Sequence, residues 1–199
     1  MLLADQGLEQ ISLDGGKLLY WAHFLSSDVA DQYLKRFLGP EIGWRQEDIL
    51  IYGKRHLQPR LIAWYGDPGR TYTYSRLKLT PNAWTSELTE IRRSVEKAAE
   101  APFNSVLLNL YRNGQDSVSW HADDEPELGD SPTIASMSLG ATRRFRFKHR
   151  ESKEIRELAL THGSLLLMMG SIQRFWVHDI PKEKGVLDPR INLTFRYIQ

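Results

Sequence analysis

The chain has 199 residues, of which 41% are hydrophobic and 26% charged, and it suits a single globular domain with a substantial core. No apolar run approaches the ~18 residues of a membrane-spanning helix, and the first ten residues lack the charged start and cleavage site of a secretory signal. The absence of cysteine excludes disulfides and thiolate metal sites, so any metal must be held by histidine and carboxylate side chains.

Charge is distributed unevenly along the chain, although the net charge is only +1. Residues 1–50 carry four Lys and Arg against eight Asp and Glu, whereas residues 143–156 carry seven Lys and Arg against two Glu. A local basic region on an otherwise neutral protein indicates contact with a polyanion.

Helices are predicted in the first half of the chain and strands in the second. Residues 25–40 form a predicted helix that a Gly-Pro pair ends, and residues 80–102 place apolar side chains at helical spacing. From residue 103 onward, short runs at strand period alternate with turn signals. These runs are SVLLNLY (105–111), TIASMSLG (133–140), RRFRFKH (143–149), residues 155–160, GSLLLMMG (163–170), RFWVHDI (174–180) and RINLTFRYI (190–198).

This order of elements predicts an α+β, mainly β fold. We expect residues 103–199 to form a double-stranded β-helix, or jelly roll, with the N-terminal helices packed on one of its sheets. Residues 1–102 then serve as a helical buttress that also carries recognition hairpins, and residues 1–199 form one domain.

The last predicted strand has an unusual polar face. Because side chains alternate along a strand, Arg190, Asn192, Thr194 and Arg196 share one face while the other face is apolar. Two interpretations fit this segment alone. The face is either a solvated surface or a cradle in which two guanidinium groups, at most ~20 Å apart at Cα, grip a small dianion.

Histidine and carboxylate residues supply a candidate metal site. His121 and Asp123 are two residues apart, which puts both side chains on the same face of an extended segment, and His178 ends another predicted strand. Two His and one carboxylate make the facial triad of non-haem Fe(II) oxygenases. A His-x-Asp pair alone is a weak signal, but an arginine-bearing strand twelve residues beyond His178 adds an anchor for a distant carboxylate.

These segments resemble the AlkB family of Fe(II)/2-oxoglutarate dioxygenases, which dealkylate nucleobases. The resemblance covers roughly residues 48–199 and rests on NLYRNGQDSVSWHADDE, ASMSLGATRRFRFKH, LTHGSLLLMMG, RFWVHDIP and PRINLTFR, in that order. The segment ILIYGKRHLQPRLIAWYGDPGRTYTYS makes the chain most similar to the branch of animal AlkB homologue 2, with homologue 3 second.

The resemblance implies a set of ligands for iron and for the co-substrate. His121, Asp123 and His178 would bind Fe(II). Arg190 would pair with the far (C5) carboxylate of 2-oxoglutarate with help from Tyr111 and Asn192, while Arg196 and Asn109 would hold the C1 end. The implied reaction is oxidative demethylation with O₂, which releases formaldehyde, succinate and CO₂.

The substrate side of the site is also implied by the resemblance. A methylated nitrogen that normally pairs cannot be reached inside a duplex, so the nucleotide must be flipped out. Tyr74 would stack on the flipped base, Tyr72 would contribute a hydroxyl, and Arg60 would join them. Asp124 and Glu125 would favour cationic bases such as 1-methyladenine and 3-methylcytosine. Strand tyrosines are equally common at the edge of a core, and that alternative stays open.

Contacts with the rest of the nucleic acid are less specified. Tyr52, at a predicted hairpin tip, would fill the gap that the flipped base leaves, although it also fits an ordinary exposed turn. Arg144, Arg146 and Lys148 would contact phosphates, unless they merely form a solvated strand face. Glu183 interrupts a segment that is basic in the duplex-acting branch, which weakens the inferred grip on a second strand.

The expected partner is therefore DNA with alkylated bases, with duplex favoured over single strands. RNA demethylation, another 2-oxoglutarate oxygenation on the same fold, and a nucleic-acid-binding protein that has lost its metal remain as alternatives. We expect a monomer without membrane association, in the bacterial cytoplasm, or in the nucleus if the chain is eukaryotic.

Overall fold

The computed structural model describes residues 7–51, 54–69, 72–74, 77–79 and 81–199. Strands dominate this part of the chain. In chain order the elements are β1 (Leu8–Leu13), β2 (Gly16–Trp21), α1 (Ser27–Phe37), β3 (Asp48–Ile51), β4 (Lys54–Leu57), β5 (Leu61–Gly66), β6 (Tyr72–Tyr74), β7 (Leu77–Leu79), α2 (Ser86–Ala99), β8 (Ser105–Tyr111), β9 (Val118–His121), β10 (Ile134–Gly140), β11 (Arg143–His149), β12 (Ile155–Leu160), β13 (Ser164–Gly170), α3 (Ile172–Phe175), β14 (Trp176–Ile180) and β15 (Arg190–Arg196).

Two antiparallel sheets form the body of the fold. The large sheet has the order β1-β2-β13-β10-β15-β8-β5, and the small sheet has the order β12-β11-β14-β9. Two further antiparallel pairs, β3-β4 and β6-β7, form separate two-stranded sheets. The sheets are joined by a core to which both contribute, with Leu107 and Met168 from the large sheet and Phe147 and Trp176 from the small one. The predicted jelly roll is confirmed.

Helices α1 and α2 cover the other face of the large sheet. Leu88, Ile91 and Val95 of α2 and Ala30 of α1 belong to the same buried cluster as residues of β8, β10 and β15. The predicted packing of the N-terminal helices on one sheet is therefore confirmed. Since one face of the large sheet meets the helices and the other meets the small sheet, its central strands are buried on both sides.

Local chemistry explains where the helices begin and end. Helix α2 starts after Thr85, whose hydroxyl accepts a hydrogen bond from the backbone N–H of Leu88 at 3.2 Å, and it stops at Glu100, which adopts a left-handed conformation. Helix α1 ends just before the Gly39-Pro40 pair. No helix in the described ranges combines the length and the apolarity needed to cross a bilayer.

Most of the predicted strands in the second half of the chain agree with the structure. One prediction was wrong in detail, because Arg174 and Phe175 lie in the short helix α3 and strand β14 starts at Trp176. The first half of the chain also holds strands that were not predicted. Strand β2 pairs with β13, with Trp21 opposite Leu165, and β1 and β5 form the two edges of the large sheet.

Candidate metal centre and co-substrate pocket

The candidate metal centre lies on the small sheet, where two strands bring two histidines together. His121 ends β9 and is the direct cross-strand partner of His178 on β14, and their ring centroids are 4.3 Å apart. Asp123 follows β9 and completes the group. One potential ligand atom from each of the three residues lies within 4.8 Å of the other two. The residues that the sequence predicted as a triad are therefore adjacent in space.

The three side chains are also in the ionisation state that a metal requires. Burial lowers the pKa of His178 to about 3, with His121 adding to the effect, and burial likewise lowers the pKa of His121. Burial would raise the pKa of Asp123, but the neighbouring Arg196 guanidinium and the two imidazoles outweigh it and lower this pKa to about 2. Two neutral imidazoles and one carboxylate are consequently present at neutral pH.

Hydrogen bonds fix the orientation of these ligands. His121 Nδ1 donates to the carbonyl of Ser119 at 2.8 Å, which leaves the Nε2 lone pair for a metal. Arg196 Nη2 donates to Asp123 Oδ1 at 2.6 Å, and the backbone N–H of Asp123 donates to Gln173 Oε1 at 3.0 Å. The donor set, its protonation and its fixed geometry all fit Fe(II) in a facial triad, which leaves the other coordination positions open.

A polar pocket adjoins the triad between the two sheets. Its walls include Asn109 and Tyr111 of β8, Ser136 of β10, and the polar face of β15 from Arg190 to Arg196. In the cross-strand register Arg190 lies opposite Tyr111, and Asn192 lies opposite Asn109. The polar face of β15 is thus the wall of a buried pocket rather than a solvated surface.

The Arg190 guanidinium is positioned to bind an anion. The residue is only 1% exposed, and its Nη2 donates to Ser138 Oγ and Asn192 Oδ1, both at 2.9 Å. Its Nε and Nη1 have no hydrogen-bond partner among the described residues. Burial lowers the pKa of Arg190 to about 10, so the group is still a cation at neutral pH. A buried guanidinium with unused donors fits the far carboxylate of 2-oxoglutarate.

Comparison with known proteins agrees with this geometry. A family model described as the 2OG-Fe(II) oxygenase superfamily matches residues 17–196. The chain is 39% identical to human alpha-ketoglutarate-dependent dioxygenase alkB homolog 3, over 97% of this chain and 71% of that protein. It is 44% identical to bovine DNA oxidative demethylase ALKBH2, over 75% of this chain and 57% of that protein.

The chain belongs to the AlkB family of Fe(II)/2-oxoglutarate dioxygenases. Solved structures with much lower identity share its fold. The structure of OsALKBH1 superposes with a TM-score of 0.68 at 17% identity, over 95% of this chain and all of that one. A prolyl hydroxylase from Trichoplax adhaerens superposes with a TM-score of 0.65 at 13% identity, over 92% of this chain and 84% of that one.

The amides predicted to serve the co-substrate of this AlkB-family dioxygenase are already engaged. Asn192 accepts hydrogen bonds from Arg190 and from Ser136 Oγ, and it donates to Thr194 Oγ1 at 2.7 Å. Its side chain therefore orients the arginine and has little capacity left for a ligand. Asn109 Oδ1 accepts from Arg60 Nε at 2.8 Å. This bond places Arg60, predicted as a base contact, at the pocket wall.

The other predicted substrate residues lie near the triad or outside the described part. Asp124 is exposed and accepts from Arg150 Nη2 at 2.8 Å, while Glu125 is half-buried. Tyr52 lies outside the described residues. Strand β6 includes the backbone of Tyr72 and Tyr74, but their side chains are not among the described parts of the molecule.

The basic strand β11 carries its three outward cations in paired form. Arg146 makes a two-pronged ion pair with Asp179, at 2.9 and 2.6 Å, and Arg144 pairs with Glu157 and Glu183. The Nζ of Lys148 lies 4.3 Å from the centroid of the Trp120 ring. All three side chains face away from the pocket.

Sequence reasoning missed Arg143, the first residue of β11. Its side chain is completely buried, on the same face as the inward phenylalanines of this strand. The strand period would have placed it there, since Arg143 is two residues before Phe145 and four before Phe147. The run of positive charge around it concealed that signal.

Proposed function

We propose that this dioxygenase repairs DNA by removing methyl groups from N-alkylated bases, with 1-methyladenine and 3-methylcytosine as substrates and duplex DNA preferred to single strands. The observation that carries the proposal is one pocket that holds both a metal triad and a buried arginine with unused donors. The relatives support this class of substrate, because one that matches three quarters of the chain is named a DNA oxidative demethylase.

His121, Asp123 and His178 would hold the metal, and Arg190 would bind the far carboxylate of 2-oxoglutarate beside Tyr111. Arg196 would serve the C1 end through its contact with Asp123. When bound, Fe(II) with 2-oxoglutarate and O₂ supplies the oxidation of the N-methyl carbon, with formaldehyde, succinate and CO₂ as products. The protein itself positions the reactants and excludes bulk water from a pocket between two sheets.

Arg60 is the proposed link between co-substrate and base. It is 5% exposed, lines the same pocket as the triad, and is held by Asn109. We place the flipped base between the triad and the β6-β7 strand pair, where Tyr74 would stack on the base and Tyr72 would hydrogen-bond to it. Glu125 would favour a cationic base, whereas the ion pair of Asp124 with Arg150 must open before Asp124 can do so.

The outward face of β11 would contact the phosphates. Arg144, whose side chain is 52% exposed, and Lys148, which rests on the Trp120 ring, can turn toward a strand at small cost. Arg146 contributes less, since Asp179 already accepts hydrogen bonds from two nitrogen atoms of its guanidinium. Tyr52 is proposed as the residue that replaces the flipped base in a duplex.

The test is release of formaldehyde and succinate from matched 1-methyladenine oligonucleotides, with Fe(II), 2-oxoglutarate and ascorbate present. Single-stranded DNA, duplex DNA and RNA are assayed in parallel, and His121→Ala is the inactive control. We expect turnover on DNA with duplex ahead of single strands, and a Tyr52→Ala variant that loses activity on duplex alone.

Other outcomes would change the proposal in defined ways. A preference for single strands keeps the chemistry and removes the role of Tyr52. A preference for RNA replaces the substrate. If a protein that demonstrably binds metal and 2-oxoglutarate turns over none of the three, the substrate assignment is wrong.

A further inference from the structure

Arg143 forms a buried junction between two loops. Its Nη1 donates to the carbonyl of Asn113 at 3.3 Å, and its Nη2 donates to the carbonyls of Asp116 at 3.0 Å and Pro181 at 2.6 Å. Its Nε donates to Glu183 Oε1 at 3.1 Å. One guanidinium therefore joins the segment that follows β8 to the segment that precedes β15.

The two segments are in direct contact elsewhere as well. The backbone N–H of Gly114 donates to the carbonyl of Val186 at 2.7 Å, and the N–H of Glu183 donates to the carbonyl of Gly114 at 2.8 Å. A Cβ atom at Gly114 would collide with the backbone of Glu183, so only glycine permits this approach. The junction is a fixed structure at one end of the pocket.

That end of the pocket is where Tyr111 and Arg190 lie. Tyr111 is the last residue of β8, and Arg190 is the first residue of β15. The guanidinium carbon of Arg143 is 5.6 Å from the centroid of the Tyr111 ring, and that of Arg190 is 5.3 Å from the same centroid. The phenol ring is thus in contact with both cations.

Glu183 supplies the counter-charge for this arrangement. Its side chain is 17% exposed, and Oε1 also accepts a hydrogen bond from the backbone N–H of Arg144 at 3.0 Å. The residue that interrupts the expected basic segment therefore has a partner inside the protein. Its carboxylate holds Arg143 in place and offsets one of two neighbouring positive charges.

We infer that Arg143 is a positioning residue for 2-oxoglutarate. Arg143 fixes Tyr111 and Arg190 around the far carboxylate and is itself fixed by Glu183. This inference rests on the proposed assignment of Arg190 to that carboxylate. Arg143 does not line the pocket and acts through the tyrosine ring and the two loops. Its role is distinct from that of the pocket arginines, which contact the ligand.

A role of Arg143 through its position and a role through its positive charge predict different results for conservative variants of Arg143 and Glu183. If only the positive charge of Arg143 mattered, Arg143→Lys would preserve binding, and Glu183→Gln would strengthen it by removing a negative charge. If position matters, both variants weaken binding. A lysine ammonium cannot replace the planar fork that reaches four acceptors, and a neutral amide holds the guanidinium less firmly.

The experiment is calorimetric titration of the Mn(II)-loaded protein under argon. The titrants are 2-oxoglutarate and 2-oxobutyrate, which keeps the keto acid group and lacks the far carboxylate. The variants are Arg143→Lys and Glu183→Gln, with Arg144→Gln as the matched control on the exposed side of the same carboxylate. Arg190→Met tests the underlying assignment, and melting curves verify that each variant folds.

We expect Arg143→Lys to weaken binding of 2-oxoglutarate about tenfold, which is the lower end of the usual effect of a lost supporting contact. Glu183→Gln should weaken it less, about threefold, because the amide oxygen can still accept a hydrogen bond from Arg143. Binding of 2-oxobutyrate should change less than about twofold in both variants, and Arg144→Gln should match the wild type for both acids. Should Arg143→Lys fail to fold, the less buried Glu183→Gln carries the test.

Three results would overturn the inference. These are wild-type affinity for 2-oxoglutarate in both Arg143→Lys and Glu183→Gln, tighter binding in Glu183→Gln, or equal weakening of both acids. Failure of the proposed assignment looks different. In that case Arg190→Met would bind 2-oxoglutarate as tightly as the wild type, whatever the Arg143 variant does.

Discussion

Strands β15 and β11 have nearly the same pattern in sequence and opposite roles in the structure. Each alternates apolar residues with polar or charged residues that include two arginines. On β15 the arginines are buried, with Arg190 at 1% and Arg196 at 4% exposure, and they line the pocket. On β11 the side chain of Arg144 is 52% exposed and Arg146 is half-buried at 28%.

The position of each strand in its sheet explains the difference. β15 lies between β10 and β8 in the large sheet, which is covered by helices on one face and by the small sheet on the other. β11 lies in the small sheet, whose outer face is not covered by another layer in the described part of the molecule. Alternation assigns side chains to faces, but it does not reveal what covers each face.

The partners of the arginines differ in the same way. Arg144 and Arg146 are paired with carboxylates of neighbouring strands and loops, so a ligand must compete for them, only weakly at the exposed Arg144 and more strongly at Arg146. Arg190 instead keeps two nitrogen atoms without hydrogen-bond partners among the described residues, a costly state for a buried charge. Unused donors in a buried cation therefore distinguish a ligand site from a structural ion pair better than charge density does.

The largest effect is expected when the buried ion pair at the metal centre is broken. Arg196→Met removes the partner of Asp123 and leaves a buried carboxylate uncompensated, which should lower the free energy of unfolding of the metal-free protein by about 3–5 kcal/mol. A bound divalent metal would neutralise that carboxylate, so the loss should be clearly smaller with Mn(II). Urea denaturation with EDTA and with Mn(II) measures both values.

Arg144→Met is the matched control on the exposed strand, and its unfolding free energy should stay within about 0.5 kcal/mol of wild type in both conditions. An equal loss for Arg196→Met with and without Mn(II) would show that Arg196 stabilises the fold independently of the metal centre. It would then have no part in holding Asp123 for the metal.

A smaller effect is expected at Arg190, at the other end of β15, where one substitution should weaken ligand binding without lowering stability. Arg190→Met removes a buried cation with two unused donors, so stability should be unchanged or rise by about 1 kcal/mol. Affinity for 2-oxoglutarate should fall about 100-fold, because two charge-assisted hydrogen bonds are lost. Calorimetry and urea denaturation on the same preparation separate the two, and a large loss of stability would mean that Arg190 is structural.

Much of the jelly roll could be predicted from local pattern, and the metal triad could be predicted from local pattern together with the family resemblance. Strand β11 begins and ends as predicted because its inward Phe145 and Phe147 alternate with charged residues. His121 and Asp123 are two residues apart, which is a weak signal by itself, and His178 joins them through the family resemblance. The strand alternation and the His-x-Asp spacing are both local, and neither depends on which strands become neighbours.

The missed features depend on contacts that are distant in sequence. Trp21 of β2 pairs with Leu165 of β13, a partner that no local window contains. Strand β5 is buried along most of its length, so its apolar run has no alternation to reveal it. The role of Glu183 was hidden for the same reason, since its partner Arg143 is forty residues earlier.

The smallest predicted effect concerns the exposed face of β11. Asp179→Asn removes the two-pronged partner of Arg146 and should lower the free energy of unfolding by about 1–2 kcal/mol. If phosphates pass over this face, the released guanidinium becomes available to them. Binding of duplex DNA should then tighten at low salt, and the slope of log K against log salt should steepen by about 0.9.

Glu157→Gln provides the comparison, since it frees Arg144 from an exposed ion pair that contributes about 0.5 kcal/mol or less. Arg144 is already accessible, so the salt slope should hardly change in this variant. A slope that is unchanged in Asp179→Asn as well, in a folded protein that binds DNA, would place the phosphates elsewhere. The charged face of β11 would then be a solvated, ion-paired surface, and β15 alone would hold arginines that serve a ligand.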